Sequence, residues 1–172
     1  MKRSLSSIAA GLLAAAVLAR GAISARAQDP PSNAPGRSVV KQADVEFLYP
    51  EQINVPAGKP APVALHFRVG PGLHINSHAP REEFLIPTTF SIPDSSGVRL
   101  ENAAYPTGSD LTLPSDPTDK LSVYTGEFTI ETRIVANPGD HLVEARLHYQ
   151  ACNNTVCLPP KTITVPIDVV GK

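Results

Sequence analysis

Eighteen prolines punctuate this chain of 172 residues, every one of them beyond residue 27. Proline inside a helix removes a hydrogen bond and clashes with the preceding turn, so long helices need proline-free stretches. Beyond residue 27, only residues 118–137 and 139–158 stay free of proline for as many as 20 residues, and both carry a strand pattern. Phe128, Ile130, Thr132 and Ile134 alternate with Thr129, Glu131, Arg133 and Val135, a period of two enriched in β-branched residues. The chain is therefore expected to be all-β, with helices short or absent.

Strands are expected near residues 43–49, 62–69, 73–77, 88–92, 98–104, 121–124, 127–136, 141–151 and 162–169. Turn signals separate them, among them Pro56-Ala57-Gly58, Gly70-Pro71-Gly72 and Asn137-Pro138-Gly139-Asp140. Many short strands with regular turns predict a two-sheet β-sandwich of immunoglobulin-like type. Residues 106–120 break the pattern, with three prolines, three aspartates and only Leu111 and Leu113 as large apolar residues. That stretch is expected to be a long loop, of a kind that in compact domains is usually functional or disordered, and it is a candidate lid.

The first 27 residues read as a signal peptide. Lys2 and Arg3 precede an apolar run from Ile8 to Ala19, and Ala25-Arg26-Ala27 supplies a small-x-small cleavage site. Twelve apolar residues fall short of the roughly 20 needed to span a bilayer. Residues 28–42, rich in Pro, Ser, Asn and Gly, form a flexible lead, leaving 43–170 as one domain. The leader holds four basic residues and no acids, so the remainder carries a formal charge of −5 against −1 for the whole chain. An acidic chain without a basic stripe is a poor partner for nucleic acid or an anionic membrane surface. No later segment is apolar enough to insert into a bilayer, and a periplasmic or secreted location is expected, where thiols and disulfides both persist.

Cys152 and Cys157 are the only cysteines. Closing so short a ring removes little entropy from the unfolded chain, about 2 kcal/mol, so a redox switch is a better explanation than a structural staple. In the preceding strand Val143, Ala145, Leu147 and Tyr149 share the inward phase, while Glu144, Arg146, His148, Gln150 and Cys152 share the outward one. Cys152 is therefore expected on an accessible face. The four intervening residues can turn the chain to bring Cys157 beside it, with Cα atoms about 5.5 Å apart. Pro159-Pro160 prevents a helix from starting after the pair, so the thiolate gains nothing from a helix N-terminus. Arg146, His148 and Lys161 are the only nearby cations. A site that exchanges with a more reactive partner dithiol is expected.

The run Tyr149-Gln150-Ala151-Cys152-Asn153-Asn154-Thr155-Val156-Cys157-Leu158-Pro159-Pro160 resembles the active-site hairpin of the periplasmic N-terminal domain of the transmembrane reductase DsbD, a family also described as disulfide bond corrector proteins. Gly72-Leu73-His74-Ile75-Asn76 and Leu85-Ile86-Pro87-Thr88 resemble a second, weaker signature, and the likeness spans residues 43–169. It implies an immunoglobulin-like fold, with Cys152 and Cys157 as the catalytic redox pair. By the same analogy Cys157 forms the mixed disulfide. Reducing equivalents would pass from a thioredoxin-like domain or membrane disulfide reductase, acting in trans, to oxidised periplasmic proteins. In the family's enterobacterial form an acidic-aromatic lid shields the disulfide; here the corresponding region offers Tyr105, Leu111 and Leu113.

Two rival readings remain. His74 and His78 are four apart, but on a strand that spacing places them about 13 Å from each other, so neither a metal nor a cofactor is assigned. A non-catalytic secreted immunoglobulin-like binding or assembly module, with a local structural disulfide, stays open as the alternative; its bridge would resist thioredoxin.

Overall fold

The structure, a computed structural model, describes residues 43–48 and 52–172. The signal peptide and flexible lead expected over 1–42 lie outside the described residues. Twelve strands follow in order: β1 (Val45–Phe47), β2 (Gln52–Val55), β3 (Ala61–Val69), β4 (His74–Asn76), β5 (Thr89–Ser91), β6 (Val98–Ala104), β7 (Ser109–Leu113), β8 (Asp116–Tyr124), β9 (Glu127–Ala136), β10 (Gly139–Tyr149), β11 (Ala151–Cys152) and β12 (Lys161–Gly171). Among the described residues the only helical turn is a 3-10 turn at Asp94–Ser96. The chain is all-β, an immunoglobulin-like sandwich.

One sheet runs β1-β3-β9-β6 and the other β2-β12-β10-β5. Their alternating residues fill the space between them: Val63, Leu65 and Phe67 from β3, Ile130 and Ile134 from β9, Val143, Ala145 and Leu147 from β10, and Val165 and Ile167 from β12 are all buried. The inward phases read from the sequence for β9 and β10 hold. Thr132, inward with them, satisfies its hydroxyl by donating to the Val63 carbonyl at 2.8 Å. Proline in a strand is tolerated where no neighbour needs its missing N–H. Pro166 pairs with Glu144 of β10, while β2, on the other side of β12, begins pairing only at Asp168.

A third sheet, β11-β4-β8-β7, carries the cysteine hairpin. The expectation of a loop over 106–120 is corrected here. Ser109–Leu113 and Asp116–Tyr124 form an antiparallel hairpin, with Ser109 opposite Val123 and Leu111 opposite Leu121. Its residues are mostly exposed on both faces, so the segment lacks the apolar alternation by which strands are recognised. The short β2, flanked by Pro50 and Pro56, also went unsignalled.

Candidate functional site

The cysteine hairpin forms where the chain changes sheets. β10 runs antiparallel to β12 as far as the Tyr149–Lys161 pair, and after Gln150 the chain pairs instead with β4, Ala151 opposite Ile75 and Cys152 opposite His74. Tyr149 and Ala151 point into the core and Cys152 points the other way, as the strand phase predicts. The accessibility expected for Cys152 is nevertheless wrong: it is only 2% exposed. Its outward face is covered, because Leu113 and Leu121 of the β7–β8 hairpin and Leu85 of the preceding loop close over it around a cavity of about 130 Å³. Cys157, across the hairpin, is exposed.

Cys152 and Cys157 are joined in a disulfide. Leu158 N–H donates to Ala151 O at 2.8 Å and Asn153 N–H to Val156 O at 2.9 Å, so the cysteines occupy the non-hydrogen-bonded site between two ladder bonds. Facing residues approach most closely at such sites, which accounts for a Cα separation of 3.9 Å in place of the expected value near 5.5 Å. The Gln150 side chain braces the base of the hairpin by donating to Leu158 O at 3.1 Å.

The turn itself is built by Asn153, whose carboxamide oxygen accepts from Thr155 N–H at 2.8 Å, Thr155 O–H at 2.9 Å and Val156 N–H at 2.8 Å. A side chain that mimics a backbone acceptor in this way fixes the turn locally. Asn153→Ala should cost about 1–2 kcal/mol, as neutral exposed bonds contribute modestly. Thermal unfolding should show a larger loss for the reduced protein, where no disulfide closes the turn, and Asn153→Asp should retain most of the stability.

None of the three cations expected near the pair attends it. Lys161 is paired with the buried carboxylate of Asp44. His148 shares a hydrogen bond with the Thr162 hydroxyl at 3.0 Å. Arg146 lies six residues before Cys152, about 20 Å back along the strand. The titratable neighbour that sequence reasoning weighed only as a metal ligand is His74, buried on β4 opposite Cys152 and lining the same cavity. His78 is turned elsewhere, its ring stacked on Tyr105 at 3.7 Å and its Nδ1 bonded to Thr88 O. Among the described residues no group of three His, Cys, Asp or Glu side chains is placed to hold a metal.

Burial pushes the His74 pKa below its ordinary value, because desolvation disfavours the imidazolium. The unfolded chain then binds more protons than the folded one between the lowered value and about 6.5, so this group's stabilisation is complete above pH 6.5 and lost as pH falls through the folded value. His74→Gln should flatten that part of the stability profile in thermal melts across the same range.

The match that decides the family covers residues 44–168, against the N-terminal domain of the thiol:disulfide interchange protein DsbD. The chain belongs to the DsbD N-terminal domain family. Two solved structures are similar to it. The DsbD N-terminal domain of Neisseria meningitidis, in its reduced form, is 18% identical over 67% of this chain and 82% of that one, with a TM-score of 0.45. The N-terminal periplasmic domain of ScsB from Proteus mirabilis is 15% identical over 72% of this chain, with a TM-score of 0.47. This chain spans 44% of the ScsB structure. No curated protein matches. Membership brings the cysteine hairpin of this DsbD-type domain into a thiol–disulfide interchange family; among the described residues, no helix is long and apolar enough to cross a membrane.

Proposed function

We propose that this domain passes reducing equivalents between a thioredoxin-like donor, or a membrane disulfide reductase acting in trans, and oxidised periplasmic proteins, with Cys152 and Cys157 as its redox pair. The observation that carries the reading is the asymmetry of the disulfide: one sulfur belongs to an exposed residue at a hairpin tip and the other to a residue buried beneath a leucine-lined cover. A donor thiolate attacks Cys157, the bond to Cys152 breaks, and a mixed disulfide forms. The donor's second thiol then releases Cys157, leaving a dithiol that attacks the disulfide of the next protein in the same order. Val156, 56% exposed beside Cys157, gives an approaching partner an apolar foothold.

The cavity is far smaller than the roughly 300 Å³ at which small-molecule sites begin. The proposed exchange uses the two sulfurs alone. The same reading makes residues 1–27 a signal peptide, 28–42 a lead and 43–170 the exported domain, placed in the periplasm.

The test is equilibration of the full chain with thioredoxin and glutathione buffers, the dithiol fraction being read by thiol alkylation and mass. The pair should titrate within the span of thioredoxin-like couples, about −270 to −120 mV. A bridge that stays shut across that span identifies a structural disulfide in a non-catalytic module.

A further inference from the structure

Resting on the exchange reading, we infer that the His74 imidazole is the proton acceptor for the Cys152 thiol when Cys152 closes the disulfide. The two residues are direct partners across the β4–β11 ladder, and side chains at such positions have Cβ atoms about 4.5–5.5 Å apart. Both are buried, and both line the same cavity. Apart from Cys157, which is held in the mixed disulfide at this step, the other side chains around it, Asn76, Leu85, Leu113, Ser115 and Leu121 together with the hairpin turn, bring no titratable group. No charged side chain from β4, β8, β11 or the covering hairpin lines it. Among the described residues the His74 ring has no hydrogen-bond partner, so a ring nitrogen is free to accept. Its lowered pKa keeps the imidazole unprotonated near neutral pH, the form a base requires.

The need for such a group follows from the burial of Cys152. A thiol in apolar surroundings resists ionisation, yet only the thiolate attacks. In the step proposed, an exposed Cys157 has already attacked an oxidised protein and holds one of its sulfurs in a mixed disulfide. The Cys152 proton passes to a His74 ring nitrogen, the Cys152 sulfur bonds to the Cys157 sulfur, and the Cys157–partner bond breaks. The departing partner sulfur leaves as a thiolate and takes up a proton. The domain dithiol has been oxidised by two electrons and the partner disulfide reduced by two. In the opposite direction the imidazolium returns the proton to Cys152 as a donor thiolate attacks Cys157.

The reduced full chain mixed with dithiodipyridine, a chromogenic aryl disulfide, releases one thiopyridone when Cys157 attacks and a second when Cys152 closes the bridge. His74→Gln should slow the second release about a hundredfold at pH 7, the lower end of what a positioned base supplies, and leave the first unchanged. An unchanged second phase, or both phases slowed alike, overturns the inference. Should the variant fail to fold, the wild-type profile decides. The second phase should fall on acidification below the ordinary histidine range, and a rate that tracks thiol ionisation alone overturns the role. Equilibration of the wild-type bridge with thioredoxin separates this from the wider reading. If the bridge opens while the second phase ignores His74→Gln, the redox pair stands and the His74 role alone falls; if the bridge stays shut, both fall.

Discussion

Cys152→Ser should accumulate as a covalent mixed disulfide with a thioredoxin-like partner or an oxidised exported protein, and Cys157→Ser should form none. The direction follows from access. An in-line approach to a sulfur needs open space on the far side of the bond being broken, and only Cys157 belongs to an exposed residue, while Cys152 is 2% exposed under Leu85, Leu113 and Leu121. With Cys152 replaced, the adduct at Cys157 has no internal thiol to resolve it and persists. With Cys157 replaced, the remaining thiol is out of reach of a protein-sized partner. Non-reducing gels and intact mass after mixing with a thioredoxin whose resolving cysteine has been removed would show the adduct. Equal adducts from the two variants, or an adduct through Cys152 alone, would mean that the cover does not govern access.

The legible part of this chain is the part set by local alternation. The inward phase of Phe128, Ile130, Thr132 and Ile134, and that of Val143, Ala145, Leu147 and Tyr149, could be read directly because each buried face repeats every second residue. The same rule placed Cys152 on the correct side of its strand. It could not say whether that side meets water, because the cover comes from residues 30 to 70 positions earlier in the chain. Leu111 and Leu113 read as scattered apolar residues in a proline-bearing loop, and only pairing across the β7–β8 ladder, with Leu111 opposite Leu121 of the expected strand, shows that they share a face of a small sheet. His74 was hidden for the same reason. Its sequence neighbours suggested a histidine pair, whereas its partner, Cys152, is set by the register of β4 against β11. Spacing and alternation pointed to the pair of cysteines and the fold, which the family resemblance matched, but the neighbour most able to move a proton comes from the tertiary pairing.

Phe67→Ala should be the most destabilising single truncation outside the disulfide, by about 3–5 kcal/mol. Phe67 is fully buried and is the middle of an aromatic column, its ring 5.3 Å from Phe47 on one side and 5.3 Å from Phe128 on the other. Phe128 in turn stacks on Tyr124 at 4.8 Å. The column therefore runs out of the sandwich into β8, where Tyr124 pairs with Ile75, the residue next to His74. The Tyr124 hydroxyl donates to Pro106 O at 2.9 Å and accepts from His78 N–H at 3.1 Å, tying both approaches to the site sheet to the same ring. Loss of a few kcal/mol is a large share of the 5–15 kcal/mol typical of a domain, equivalent to a fall of order 10–20 °C in the melting temperature. Phe67→Leu keeps most of the apolar volume and should cost much less, while Tyr124→Phe should spare global stability yet loosen β4 and β8. Hydrogen exchange resolves the two cases: Phe67→Ala should raise exchange across both sandwich sheets, and Tyr124→Phe only around β4, β8 and the cysteine hairpin. A Phe67→Ala loss below about 1 kcal/mol would mean that the sheets are held by their aliphatic layers alone, and that the site sheet is anchored through the β4–β11 ladder instead of the aromatic column.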